Sequence, residues 1–212
     1  MFLTKRDDQI FHTLGFKVRL MTFNQIASTW WNDTKSGVES AKKRLSSLVK
    51  SGYLKCLYVN AQPIIEINGP VFTWLPQGNT SPDAIYLSKK FKNRLSSPPQ
   101  ITPVYILSRK CANLIGGIGG KLINPLHATH DLHVSEVYIF LLKNDPDSAY
   151  AWIGEDFFKK RGKDLVDPDA IIQSTTNQAQ EIFVEFCGKY DAKRILHFHN
   201  DCQNNNMGYQ LW

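Results

Sequence analysis

"SGVESAKKRLSSLVKSGYLK", residues 36–55, carries a packing signal and a binding signal in one helix. Val38, Ala41, Leu45, Leu48 and Val49 recur at helical spacing and form an apolar stripe. At about 100° per residue, the opposite face presents Ser36, Ser40, Lys43, Ser47 and Lys50, with Arg44 at its edge. Short hydroxyl side chains permit close approach to a partner, while Lys and Arg reach phosphates and guanine edges. The face therefore suits the major groove of duplex DNA. Gly52 supplies the expected helix stop.

Working back toward the amino terminus, Ser or Thr is followed three places later by an acid or amide at Thr4–Asp7, Thr22–Gln25 and Ser36–Glu39. Each pair is a capping-box signature, so three helices are predicted. Working forward, "YLKCLYV", "PIIEI" and "VFTWL" have the composition of strands, the last two joined by an "NGP" turn. Three helices followed by a hairpin is the order of a winged helix-turn-helix domain, here assigned to residues 1–76. "AKKRLSSLVKSGYLK" resembles the recognition helix and following strand of that superfamily. Winged-helix proteins often work as dimers, so a homodimer joins duplex DNA among the expected partners. The alternative is a small helical domain that binds protein or supports its neighbour.

Charge divides the chain in the same sense. Residues 1–126 hold 17 Lys/Arg against 6 Asp/Glu, and residues 127–212 hold 8 against 13. A basic front portion suggests a polyanionic partner bound through counterion release, and an acidic rear portion suits carboxylates neutralised by metal. The chain is 42% apolar and contains no apolar run long enough to span a bilayer, so no membrane partner is expected. "MFLTKRDDQIF" lacks the pattern of a secretion signal, and a cytoplasmic location is expected. Cys56, Cys111, Cys187 and Cys202 form no CxxC pair, so they are expected as reduced thiols.

From Pro76 to Pro103 the composition shifts to Pro, Ser, Asn and Lys, and residues 77–103 are expected to be a linker. Within it "PDAIYLSKKFKNRL" is compatible with a basic surface helix bearing Ile85, Lys89, Lys92 and Arg94. "VYIL" then predicts a strand and "SRKCANLIGG" a short helix. "GGIGG" fits no phosphate-loop spacing and is expected to be a flexible joint.

The rear portion, residues 104–212, predicts a helix in "HDLHVSEVYIFLLKN", strands in "YAWIGED", "DPDAII" and "EIFVEF", a helix in "KYDAKRILHFHNDC", and a closing strand in "GYQLW". That order resembles the core of the PD-(D/E)xK nuclease superfamily, with the literal PD at Pro168-Asp169 and Glu185 on the next strand. The chain also resembles the bacterial replication-relaxation family of plasmids and other mobile elements. The likeness runs from "LTKRDDQIF" through "VYILSRKCANLIG", "HDLHVSEVYIFLL", "DPDAII" and "FVEF" to "GYQLW". The expected fold class is therefore α/β (α+β): a winged helix-turn-helix domain followed by a restriction-endonuclease-like mixed sheet.

What the nuclease resemblance implies is a metal site. Asp169 and Glu185 would bind Mg²⁺ or Mn²⁺, and Glu136 would complete the metal shell or orient water for phosphodiester hydrolysis. The superfamily also uses a lysine two places after the strand carboxylate, but here that place is Cys187. Lys189, Lys193 or Arg194 could supply the missing charge, with Lys189 the assigned fourth member. Two alternatives stay open: a metal-dependent DNA endonuclease, or a non-catalytic replication accessory or regulator that keeps the fold and binds DNA. Glu185 has a plainer alternative too, as a strand-end carboxylate paired with Lys193 or Arg194.

His127, His130 and His133, with His197 and His199, show no HExxH or cysteine pair and are expected to be hydrogen-bonding groups rather than zinc ligands. Trp30, Trp31, Trp74, Trp152 and Trp212 are expected as core or interface anchors.

Overall fold

A computed structural model describes residues 2–78, 80–122, 124–162, 165–173 and 181–212. In chain order it contains α1 (Lys5–His12), continued by a π-helical turn (Thr13–Lys17), β1 (Met21–Thr22), α2 (Phe23–Trp30), α3 (Lys35–Lys50), β2 (Leu54–Ala61) and β3 (Phe72–Trp74). There follow α4 (Ala84–Arg94), β4 (Gln100–Leu107), α5 (Arg109–Ile115), a 3-10 turn (Pro125–His127), α6 (Ala128–Asn144) and α7 (Pro146–Ala151). The chain ends with β5 (Trp152–Gly154), β6 (Ala170–Ile172), β7 (Ile182–Glu185), α8 (Ala192–Asn204) and β8 (Gly208–Leu211). The mixed α and β content is that of the expected class. Among the described residues, no helix is long and apolar enough to cross a membrane.

Two of the predicted helix starts form as complete capping boxes. Thr4 N–H donates to Asp7 Oδ2 at 2.6 Å and Asp7 N–H returns to Thr4 Oγ1 at 3.3 Å. Thr22 and Gln25 repeat the exchange at 2.9 and 3.2 Å. The third start differs, because Thr34 rather than Ser36 caps α3, accepting Gly37 N–H at 3.1 Å. Glycine is required there: a Cβ on residue 37 would sit 2.2 Å from the Asn32 carbonyl oxygen, inside the turn joining α2 to α3.

The chain forms two compact units, residues 1–64 with 99–139 and residues 65–98 with 140–212. They do not follow the expected contiguous segments 1–76, 77–103 and 104–212. In the first unit β1, β4 and β2 form an antiparallel sheet in the order β1-β4-β2. The expected hairpin between residues 63–67 and 71–75 is absent; β2 pairs along its whole length with β4, from Leu54 opposite Leu107 to Ala61 opposite Gln100. Burial explains the choice. Leu20, Val59, Ala61, Val104, Ile106, Ala128 and Leu132 make one apolar cluster, which only β4 can complete.

"VFTWL" instead contributes β3 to the second unit, whose sheet has the order β3-β8-β7-β6-β5. β7 and β8 are parallel, and the other neighbours are antiparallel. Trp74 lies opposite Tyr209 and stacks on it with ring centroids 5.8 Å apart, a cross-strand aromatic pair that favours this register. The supposed linker helix is α4, capped by Asp83, with Ala84, Leu87 and Phe91 buried in the core of this unit. The expected linker is thus structural in its centre, where α4 lies, and at its C-terminal end, since residues 100–107 form β4.

The glycine-rich stretch is packed rather than a flexible joint. Gly116 ends α5 in the left-handed conformation with φ 75°, and a Cβ on Gly117 would meet the Gly15 carbonyl oxygen at 2.9 Å. Ile118 N–H donates to that oxygen and Gly120 N–H to the Leu107 carbonyl. Trp74, Trp152 and Trp212 are core residues as expected.

Candidate functional site

The apolar stripe of α3 buries Ala41, Leu45 and Leu48. Its opposite face leaves Ser36, Ser40, Lys43 and Lys50 exposed and Ser47 half-buried. Arg44 leaves this face. Its Nε donates to Asp7 Oδ1 at 2.9 Å, and one Nη2 bonds both Asp7 Oδ2 and the Phe2 carbonyl. Asp7 is 0% exposed. Burial pushes its carboxyl up, but hydrogen bonds from Arg44 and Thr4 outweigh this and hold it below its ordinary value. The bond to Asp7 raises Arg44 in turn. Arg44 therefore clamps α3 to α1 instead of facing a groove. The sequence held a clue: Asp7, Ile10, Phe11 and Leu14 share one helical stripe, and a carboxylate on an apolar stripe requires a cation.

In the second unit Asp169 and Glu185 are 7% and 2% exposed. Asp169 directly precedes β6 and Glu185 ends β7. Asp169 N–H donates to the Val184 carbonyl at 3.0 Å, and Asp169 Oδ2 accepts Phe186 N–H at 2.7 Å. The two acids therefore meet at the same end of the β6–β7 pair. Glu185 Oε1 accepts the Tyr190 hydroxyl, and Tyr190 also accepts Arg194 Nη2. The Arg194 guanidinium lies 3.7 Å from the Tyr190 ring centroid. Burial, then the Glu185 charge, raises the Tyr190 hydroxyl far above its usual range, with Asp169 adding to the shift. Tyr190 thus serves Glu185 as a neutral donor.

Cys187, where the nuclease resemblance places a lysine, is fully buried. Burial and the Glu185 charge push its thiol well above the ordinary value, so it stays protonated and neutral. Lys189 is exposed, as is Lys193. The cation nearest in role is the half-buried Arg94, on the segment expected to be a basic surface helix. Its guanidinium lies 4.7 Å from the ring centroids of both Phe91 and Phe186 and donates to the carbonyls of Cys187, at 2.8 Å, and Trp212. Burial lowers its pKa to about 10, which leaves it charged at neutral pH.

Glu136 belongs to the first unit. Its Oε2 accepts Gln25 Nε2 at 2.9 Å, and the same nitrogen donates to the Leu132 carbonyl, so this carboxylate fastens α2 to α6. His133 meets the Thr129 carbonyl and His199 the Tyr209 hydroxyl. Among the described residues, no three His, Cys, Asp or Glu side chains form a group that could hold a metal ion. Asp169 Oδ2 and Glu185 Oε1 each accept a protein donor, and a neutral thiol stands where the nuclease resemblance places a lysine, so the described residues alone do not make the expected Mg²⁺ or Mn²⁺ site.

Tyr190 and Arg94 complete the cluster, and neither is signalled by the sequence: Tyr190 belongs to no motif, and Arg94 lies in a segment with the composition of a linker. No family model, curated protein or solved structure matches the chain.

Proposed function

We propose that the protein binds duplex DNA through α3, as a winged helix-turn-helix module, and that its nuclease-like second unit binds without cutting. The exposed row of Ser36, Ser40, Lys43 and Lys50 carries this proposal. It lies on the helix that follows a tight α2–α3 turn, in a unit ordered α1, β1, α2, α3, β2, β4 with the sheet order β1-β4-β2. That is the arrangement in which a winged-helix module offers its recognition helix. A role as a replication accessory or regulator of a mobile element agrees with the sequence resemblance.

The neutral Cys187 and the protein donors on Asp169 Oδ2 and Glu185 Oε1 favour a non-cutting second unit. The convergence of Asp169 and Glu185 supports one other reading, metal-dependent phosphodiester hydrolysis. Incubating supercoiled plasmid with the protein and Mg²⁺ or Mn²⁺ distinguishes them. Retarded but intact plasmid is expected; nicking that disappears in both Asp169→Ala and Glu185→Ala would overturn the non-cutting assignment. Lys43→Ala with Lys50→Ala is expected to weaken duplex binding and make its salt dependence shallower by about 1.8 in log–log slope.

A further inference from the structure

The first unit carries a second cationic surface. A cleft of about 530 Å³ opens where α3 ends, lined by Val49, Gly52, Lys55, Cys56, Arg109 and Lys110 among others, with no carboxylate among its lining residues. Lys55, Arg109 and Lys110 are exposed. The walls are tied together: Ser108 Oγ donates to the Gly52 carbonyl at 2.6 Å, and Ser108 N–H donates to the Tyr53 carbonyl at 3.0 Å. Lys55 Nζ bonds the Gly120 carbonyl at 2.6 Å, and Lys110 Nζ lies 5.0 Å from the Tyr53 ring centroid. Both side chains are thereby held in position at the cleft.

We propose that this cleft is a second phosphate-contact surface, holding the sugar–phosphate backbone of the same duplex whose groove α3 enters. The inference rests on the DNA-binding function proposed above. Lys50 ends α3 and Val49 beside it lines the cleft, so Lys55, Arg109 and Lys110 lie at the C-terminal end of the helix that carries Lys43 and Lys50. The three cations are exposed on an open cleft with aliphatic walls rather than enclosed in a buried site. An open, cationic surface suits a sugar–phosphate backbone better than a single small anion.

Cys56 provides a direct readout, because it is partly exposed while Cys111, Cys187 and Cys202 are buried. A defined duplex is titrated against the wild-type chain, Arg109→Gln/Lys110→Gln and Lys43→Ala/Lys50→Ala at several salt concentrations, and maleimide labelling of Cys56 is timed with and without duplex. Lys55 is left intact because its bond to Gly120 serves the fold. The cleft variant is expected to show a salt slope shallower by about 1.8, from two lost phosphate contacts, and bound duplex is expected to slow wild-type Cys56 labelling several-fold. If the wild-type chain does not retain duplex, the DNA-binding function fails and the cleft proposal with it. If it binds and only the α3 variant weakens binding, with the cleft variant's slope unchanged and Cys56 reacting at its free rate, DNA binding stands and the cleft proposal is overturned. Should the cleft variant melt below the wild type, Cys56 protection in the wild-type chain decides alone.

Discussion

Buried carboxylates are stabilised in two ways in this protein. In the first unit, Asp7 meets the Arg44 guanidinium directly, and the pair joins α1 to α3. The second unit has a direct pair of its own, Arg161 with Asp201 at 2.6 Å, but its candidate-site acids differ: Asp169 receives a backbone amide and Glu185 a phenol, with Arg194 acting through Tyr190. A direct ion pair concentrates the stabilisation in one residue. A chain of neutral donors spreads it, so that each single removal costs less.

The most severe way to break this comparison is to cut the chain after residue 76. The fragment keeps α1, α2, α3 and β2 but loses β4, and with it Val104 and Ile106 from the core. It is expected to show no cooperative thermal transition by circular dichroism, Asp7–Arg44 pair notwithstanding. Arg44→Ala comes next, because it leaves a fully buried carboxylate without its cation. The expected loss is about 3 kcal/mol in urea unfolding, at the lower end for a broken buried pair since the Arg44 side chain is 24% exposed.

Tyr190→Phe should cost about 1–2 kcal/mol by the same measurement, as one donor to a buried carboxylate is removed. Arg194→Ala should cost less, since Arg194 is exposed and reaches Glu185 only through Tyr190. An Arg194 effect as large as that of Arg44 would show that Glu185 also relies on a direct charge from Arg194.

The smallest effect sharpens the contrast through pH. The folded pKa of Asp7 is lowered, so its contribution is complete above the unfolded value of about 3.9 and is lost as pH falls through the lower folded value. Urea midpoints measured between about pH 5 and pH 2 should therefore decline on the acid side. Arg44→Ala should remove part of that decline, whereas Arg194→Ala should leave it in place.

Features written in adjacent residues were legible in the sequence. Thr4–Asp7 and Thr22–Gln25 fix helix starts within four residues, and the order of rear elements followed from apolar periodicity. Strand partners were less accessible. β2 is separated from β4 by residues 62–99, and the nearer "PIIEI" and "VFTWL" offered an equally plausible local hairpin; only the shared apolar cluster decides between them. At the candidate site, Asp169 and Glu185 could be placed together from strand order. Arg94 and Tyr190 could not, because their roles depend on α4 packing into the second unit and on a side chain reaching back from residue 190.

The pairing of β2 with β4 also sets a timetable for synthesis. When the ribosome has released α3 and β2, it has yet to make the strand that closes their sheet, and residues of the other unit must emerge first. The nascent first unit therefore waits with one apolar sheet face open until β4 and the start of α6 appear, an interval in which a chaperone able to shield Val59 and Ala61 would find its binding site.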